Sequence, residues 1–153
     1  MKRKYIKVIS TIAAIITFTI GMWQFIVWFQ EKSQKRYEGV WEMTTEVESA
    51  ELKSYVGMKI DWTLHLSQTD NKLTGTAEKI SVNSVKLNFR NRTTLELNGS
   101  LNKNRFTLTF IENGQLRKTN GILYGEFSNN KFEGHFFSTA SDTKGKITGY
   151  RIK

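Results

Sequence analysis

Apolar residues follow two regimes along this chain. From Val8 to Phe29, VISTIAAIITFTIGMWQFIVWF, apolar and small residues run on without a charge. From about Tyr37 the pattern changes to short alternating runs. In KIDWTLHLS, Ile60, Trp62, Leu64 and Leu66 share one face, and Asp61, Thr63, His65 and Ser67 share the other. A period of two predicts a strand with one buried face. NRFTLTFIE repeats it, with Phe106, Leu108 and Phe110 set against Thr107 and Thr109. Between such runs lie Thr69-Asp70-Asn71, Asn102-Lys103-Asn104, Asn113-Gly114, Asn129-Asn130 and the stretch from Asp142 to Gly145. Asn and Gly accept the positive φ of tight hairpins. The spacing predicts strands near 38–48, 58–67, 72–80, 84–89, 93–101, 104–111, 119–128, 131–138 and 145–152.

Eight or nine strands, each about one hairpin from the next, form an antiparallel meander. Left open, it would expose two bare edges; closing it into a small barrel removes them. Gly75, Gly99, Gly121, Gly125, Gly134 and Gly149 fall within or at the ends of the runs. Glycine ordinarily weakens a strand, and sharp coiling in a small barrel is a reason to accept it. One phrase recurs: Lys72-Leu73-Thr74-Gly75, Lys131-Phe132-Glu133-Gly134 and Lys146-Ile147-Thr148-Gly149. Each reads as a strand leaving a hairpin, setting one core residue and then bending at Gly. The fold class expected is an all-β closed antiparallel barrel over 37–153.

The uncharged run changes the domain picture. Its 22 residues would span roughly 33 Å as a helix, enough to cross a hydrocarbon core. It ends in Trp23, Phe25, Trp28 and Phe29, an interfacial aromatic belt, and offers no small-x-small cleavage site before Gln30. The chain therefore divides into a basic flank (1–7), a single uncleaved transmembrane helix (8–29), a charged linker (30–36) and the barrel (37–153). Lys2, Arg3, Lys4 and Lys7 on one flank face Lys32, Lys35 and Arg36 on the other, which leaves orientation unsettled and weakly favours a cytoplasmic N-terminus. Ala13, Thr17 and Gly21 recur every fourth residue, a small-residue face that lets helices approach closely in lipid.

Candidate chemistry is sparse. There is no Cys, the imidazoles are His65 and His135 alone, and no metal-ligand spacing, nucleophile elbow or phosphate loop appears. The reading is of a binding protein with no catalytic, metal or cofactor site. Charge is more informative. The chain carries +9; residues 1–36 hold +6 of it and residues 37–153 hold +3. Glu38, Glu42, Glu46, Glu48 and Glu51 crowd the start of the barrel, leaving sixteen basic against eight acidic residues from Lys53 onward. A basic body suits a small anionic ligand or an anionic lipid surface. Arg117, Lys118 and Lys144 are placed to pair with phosphate oxygens, and Tyr124 and Trp62 to stack on bases. The polar stretch from Ser138 to Gly145 supplies Ser138, Thr139, Ser141 and Thr143 as donors and Asp142 as an acceptor. It is either a ligand-contacting rim or a solvated turn in which Asp142 bonds its own backbone.

The order of these features carries a resemblance. An apolar anchor precedes Gly39-Val40-Trp41, then WTLHLSQTDNKLTGTA, and the chain closes with FEGHFFSTASDTKGKITG. This resembles the membrane-anchored β-barrel effectors of bacterial cyclic-oligonucleotide antiphage defence, the SMODS-associated two-TM β-strand-rich family. A Gly-x-Trp first strand is also lipocalin-like. The family resemblance implies a barrel that binds a cyclic di- or oligonucleotide made by a partner nucleotidyltransferase, not a DNA or RNA polymer. Homo-oligomerisation would then cluster the anchors, disrupt the inner membrane and kill the infected cell. It implies a cytoplasmic barrel. The chain departs from the family in having one span where two are expected, since two within 6–29 would be about 12 residues each, too short to cross. A periplasm-facing, lipocalin-like binding module and a ligand-free structural subunit are the alternatives.

Overall fold

The computed structural model describes residues 16–26, 37–114 and 117–153. The chain divides into two compact units, Met1–Lys35 and Arg36–Lys153. In the first, residues 16–26 are helical. The rest of the predicted 8–29 span, Ala13 included, lies outside the described residues. Among the described residues no helix is long and apolar enough to cross a membrane.

The second unit is a closed antiparallel barrel. Its strands are β1 (Gly39–Ser49), β2 (Lys59–Thr69), β3 (Lys72–Val82), β4 (Val85–Lys86), β5 (Thr94–Asn102), β6 (Arg105–Asn113), β7 (Lys118–Ser128), β8 (Lys131–Ser138) and β9 (Thr143–Arg151). They follow one another around the wall as β1, β2, β3, β5, β6, β7, β8, β9, and β9 pairs back onto β1. Eight strands close the ring, and β4 hangs from the end of β3. The predicted strand at 84–89 shrinks to those two residues. It starts in a tight turn, with Asn83 and Ser84 both at positive φ, and gives way to a 3-10 turn at Phe89–Asn91. The predicted last strand begins two residues early: Ser138 pairs with Thr143, so the connection between β8 and β9 is only residues 139–142. A backbone bond from Thr143 N to Ala140 O, 3.3 Å, and positive φ at Ser141 and Asp142 make it a type I′ turn.

Alternation builds the core. Trp62, Leu64 and Leu66 of β2, and Phe106, Leu108 and Phe110 of β6, point inward and are buried. So are Leu73, Phe132 and Ile147, the apolar residues of the recurring phrase. The glycine two places later also faces inward. At Gly149 an added Cβ would run into the Phe132 ring, and at Gly121 into Phe110. At these two positions glycine makes room for a neighbour's ring inside a narrow barrel, while at Gly75 and Gly134 it lets the neighbouring strand's backbone come close.

The two ends differ. At the end where the chain enters, Tyr37, Trp41, Phe106, Phe127 and Phe132 form an aromatic plug, with Tyr37 stacked on Phe127 at 4.1 Å. Trp41 Nε1 donates to Tyr37 O at 3.1 Å, and the Arg151 guanidinium lies 5.8 Å over the Trp41 ring while also donating to Glu38 O. The Tyr37 hydroxyl is buried and finds no hydrogen-bond partner among the described residues. Burial first, and the charge of Glu126 second, raise its pKa above the ordinary phenol value. Tyr37→Phe is therefore expected to leave stability at neutral pH unchanged within about 1 kcal/mol, or to improve it. The neutral phenol is the form the fold favours. Its contribution is full below about pH 10 and is lost as pH rises through the raised value. Denaturant melts at pH 8 and pH 11 should show the parent losing more stability across that interval than Tyr37→Phe does.

Candidate functional site

The other end of the barrel is open. Strand parity that fills the plug end with rings leaves a cavity of about 370 Å³ at the far end, walled by Met43, Trp62, Leu95, Phe110, Leu123 and Phe136. Tyr55 and Met58, from the β1–β2 connection, and Ala140, from the β8–β9 turn, stand at its mouth. Inside, an ion pair joins a few hydroxyls in a mostly apolar lining. Lys79 follows Leu73 and Ala77 on the inward face of β3, and Glu112 follows Phe106, Leu108 and Phe110 on the inward face of β6. Their side chains meet at 2.5 Å, each less than a fifth exposed. Thr93 Oγ1 donates to Glu112 Oε1 at 2.7 Å, and Thr119 Oγ1 lies 3.5 Å from Oε2. The Lys79 ammonium also sits 5.0 Å over the Trp62 ring. A register shift on β3 next to Asp61 and Trp62 leaves Ile80 as the extra residue, so both Lys79 and Val82 face the cavity.

This pair is a partition. A second cleft of about 370 Å³, lined by Asn91, Thr93, Gly114, Arg117 and Thr119, lies outside it and shares Lys79, Glu112, Arg117 and Ala140 with the cavity. The largely apolar chamber and the outer cleft therefore adjoin along Lys79, Glu112, Arg117 and Ala140, with the ion pair at their boundary. Taking two charges out of water costs several kcal/mol that their attraction only partly offsets. Their hydroxyl partners reduce that cost, and the arrangement leaves a donor and an acceptor side by side at the chamber's throat.

The predicted ligand residues divide by parity. Arg117, Ser138 and Thr143 line the cavity, the last two buried. Lys118, Tyr124 and Lys144 lie on the outer wall. Lys118 is one residue out of phase with Arg117, Tyr124 stacks on His135 at 5.6 Å, and the Lys144 ammonium lies 5.8 Å over the Phe137 ring. In the turn, Thr139 Oγ1 exchanges hydrogen bonds of 3.1 Å with the backbone of Asn120. Ser141 accepts from Leu52 N through its hydroxyl and from Glu51 N through its carbonyl, at 3.0 and 2.9 Å. Thr139 and Ser141 thus brace the mouth, and Asp142 is an exposed turn residue. Thr17 and Gly21 lie on the helix at 16–26. Two of the acids crowding β1 have structural partners: Glu46 with Lys59 at 3.4 Å and Glu48 with Lys146 at 2.6 Å. Glu48 is also the main cause of a raised Lys146 pKa. No group of His, Cys, Asp and Glu among the described residues could hold a metal ion.

No protein-family model matches the chain, and no curated protein matches it. Among solved structures the chain is similar to a redesigned β-barrel, mFAP1, solved bound to DFHBI. Identity is 11% over 75% of this chain and 94% of that one, with a TM-score of 0.57. At that identity the likeness carries the fold alone.

Proposed function

We propose that the chain is a membrane effector of bacterial antiphage defence whose barrel senses a cyclic di- or oligonucleotide. The observation that carries the ligand half is the apolar chamber opening past a polar throat onto Arg117. A nucleotide has the matching polarity: a flat ring for the chamber beside Trp62 and a phosphate for the guanidinium. Lys79 is already neutralised by Glu112, so Arg117 is the phosphate partner, helped by the hydroxyls of Ser138 and Thr143 at the cavity wall. The membrane half draws on the uncharged 8–29 run. Within it Ile16, Phe18, Ile20, Met22, Trp23, Phe25 and Ile26 are exposed by 46 to 72%, side chains suited to lipid. In this reading the helix spans the inner membrane once, the barrel is cytoplasmic, and ligand-driven clustering brings together the faces carrying Ala13, Thr17 and Gly21.

The chamber's largely apolar wall also favours the second reading, a periplasm-facing, lipocalin-like module. A reporter fused after Lys153 separates the two by side. For the effector, co-expression of the full chain with a cyclic-dinucleotide synthase should arrest growth and admit a membrane-impermeant dye, while either alone does neither. Ala13→Leu with Gly21→Leu should keep the protein in the membrane fraction and suppress dye entry. No dye entry with any cyclic dinucleotide, or a periplasmic reporter, would sink the effector reading.

A further inference from the structure

The two ends of the barrel carry different tips. Where the chain enters, the hairpins turn at Asp70-Asn71, Lys103-Asn104 and Asn129-Asn130, all polar. At the mouth, the β1–β2 connection exposes Leu52 and Val56, and the segment between β3 and β5 exposes Val85 and Phe89, by 52, 50, 67 and 80%. Four large apolar side chains at one end of a small domain mark a contact surface, whereas single ones scattered over a surface do not.

These tips are held in place. Asn83 Oδ1 accepts from Lys59 N at 2.9 Å, and Asn83 N donates to Lys59 O at 2.7 Å, locking the β3–β4 turn against the start of β2. Leu87 N donates to Ile80 O at 2.9 Å and folds the following segment back along β3. The chain thus presents apolar side chains on a braced edge. The charges around them lean one way: residues 50–58, 83–93 and the adjoining 139–142 turn contain Lys53, Lys86, Arg90 and Arg92 against Glu51 and Asp142. Arg92 is engaged by Glu78 at 3.2 Å. A second copy docked mouth to mouth would bring like charges together.

We propose that the mouth of the barrel is a membrane-docking surface. Leu52, Val56, Val85 and Phe89 enter the interface of an anionic bilayer, and Lys53 and Lys86 lie at the level of its phosphates. Apolar tips among cations are the complement of that surface: acyl chains take the side chains, and the headgroups answer the charge. Docking also brings the apolar chamber, through Tyr55 and Met58, up to lipid. The proposal holds whether or not the chamber takes a nucleotide.

The absence of cysteine makes the test direct. A single cysteine at 89 (Phe89→Cys) in the full chain is labelled with an environment-sensitive nitrobenzoxadiazole dye. The chain is reconstituted into phosphatidylcholine vesicles with or without phosphatidylserine. Matched empty vesicles with brominated acyl chains are added, and brominated lipid is separately built into the host vesicle. The dye at 89 should shift to the blue and be quenched from one of the two bilayers when phosphatidylserine is present. A dye at 129 (Asn129→Cys) should stay in water. Val56→Ser with Val85→Ser should lower the quenched fraction at 89 at least about fivefold, with an unchanged melting temperature because both positions are exposed. A dye at 89 that stays in water in every lipid overturns the proposal. So does equal quenching without phosphatidylserine. A blue shift before any lipid is added overturns it too, and assigns the tips to a second copy or another protein.

Discussion

Trp41→Ala is expected to cost the barrel about 3–5 kcal/mol, a large part of the roughly 5–15 kcal/mol that holds such a domain folded. Trp41 is fully buried and meets Phe127 at 5.3 Å and Phe132 at 5.6 Å. Truncation removes those ring contacts, leaves a cavity in the plug and deletes the bond to Tyr37 O. It also strips the Arg151 guanidinium of the ring beneath it. Strands β1 and β9, whose pairing closes the barrel, both lose a packing partner there. Equilibrium urea unfolding should show the midpoint fall by about a fifth or more. Trp41→Phe keeps the apolar contact and should recover most of the loss. A shift of under 1 kcal/mol for Trp41→Ala would mean the plug does not hold the barrel closed.

The strands were legible because a barrel with one wetted face writes a period of two into nearly every run. Trp62, Leu64 and Leu66 could be assigned inward from KIDWTLHLS alone. Closure was legible through the glycines, although their reason is more specific than bending: Gly121 and Gly149 admit the rings of Phe110 and Phe132. The strand expected at 84–89 failed because an apolar-polar pattern does not supply a partner; β4 pairs with β3 alone and stops. The site was half legible. Arg117 and Lys118 look equivalent as charges, yet one residue of phase sends the first to the cavity and the second to the outer wall. The same parity rule, run past the apolar residues, would have found the throat. Lys79 continues Leu73 and Ala77, and Glu112 continues Phe106, Leu108 and Phe110. What it does not supply is their meeting across β5, which depends on the curvature of the closed wall.

The proposed ligand site gives the second large effect. Arg117→Ala should weaken cyclic-dinucleotide binding by tenfold or more, since a charge-assisted bond to phosphate contributes about 1.5–3 kcal/mol. Thr143→Ala, at a buried hydroxyl on the cavity wall, should cost severalfold in the same titration. Lys118→Ala, Lys144→Ala and Tyr124→Ala should each stay within about twofold, because strand parity turns these side chains to the outer wall. Salt separates the two groups further. Outer-wall lysines act only through the long-range field, which about 0.15 M salt screens beyond roughly 8 Å. Their small effect should vanish at higher ionic strength, while the Arg117 effect persists. Calorimetry of the full chain in detergent, at two salt concentrations, reads both. Unchanged affinity in Arg117→Ala would remove the throat from the ligand site. A loss confined to Tyr124→Ala and Lys144→Ala would move the site to the outer face around the Tyr124–His135 stack, and the chamber would then need another occupant.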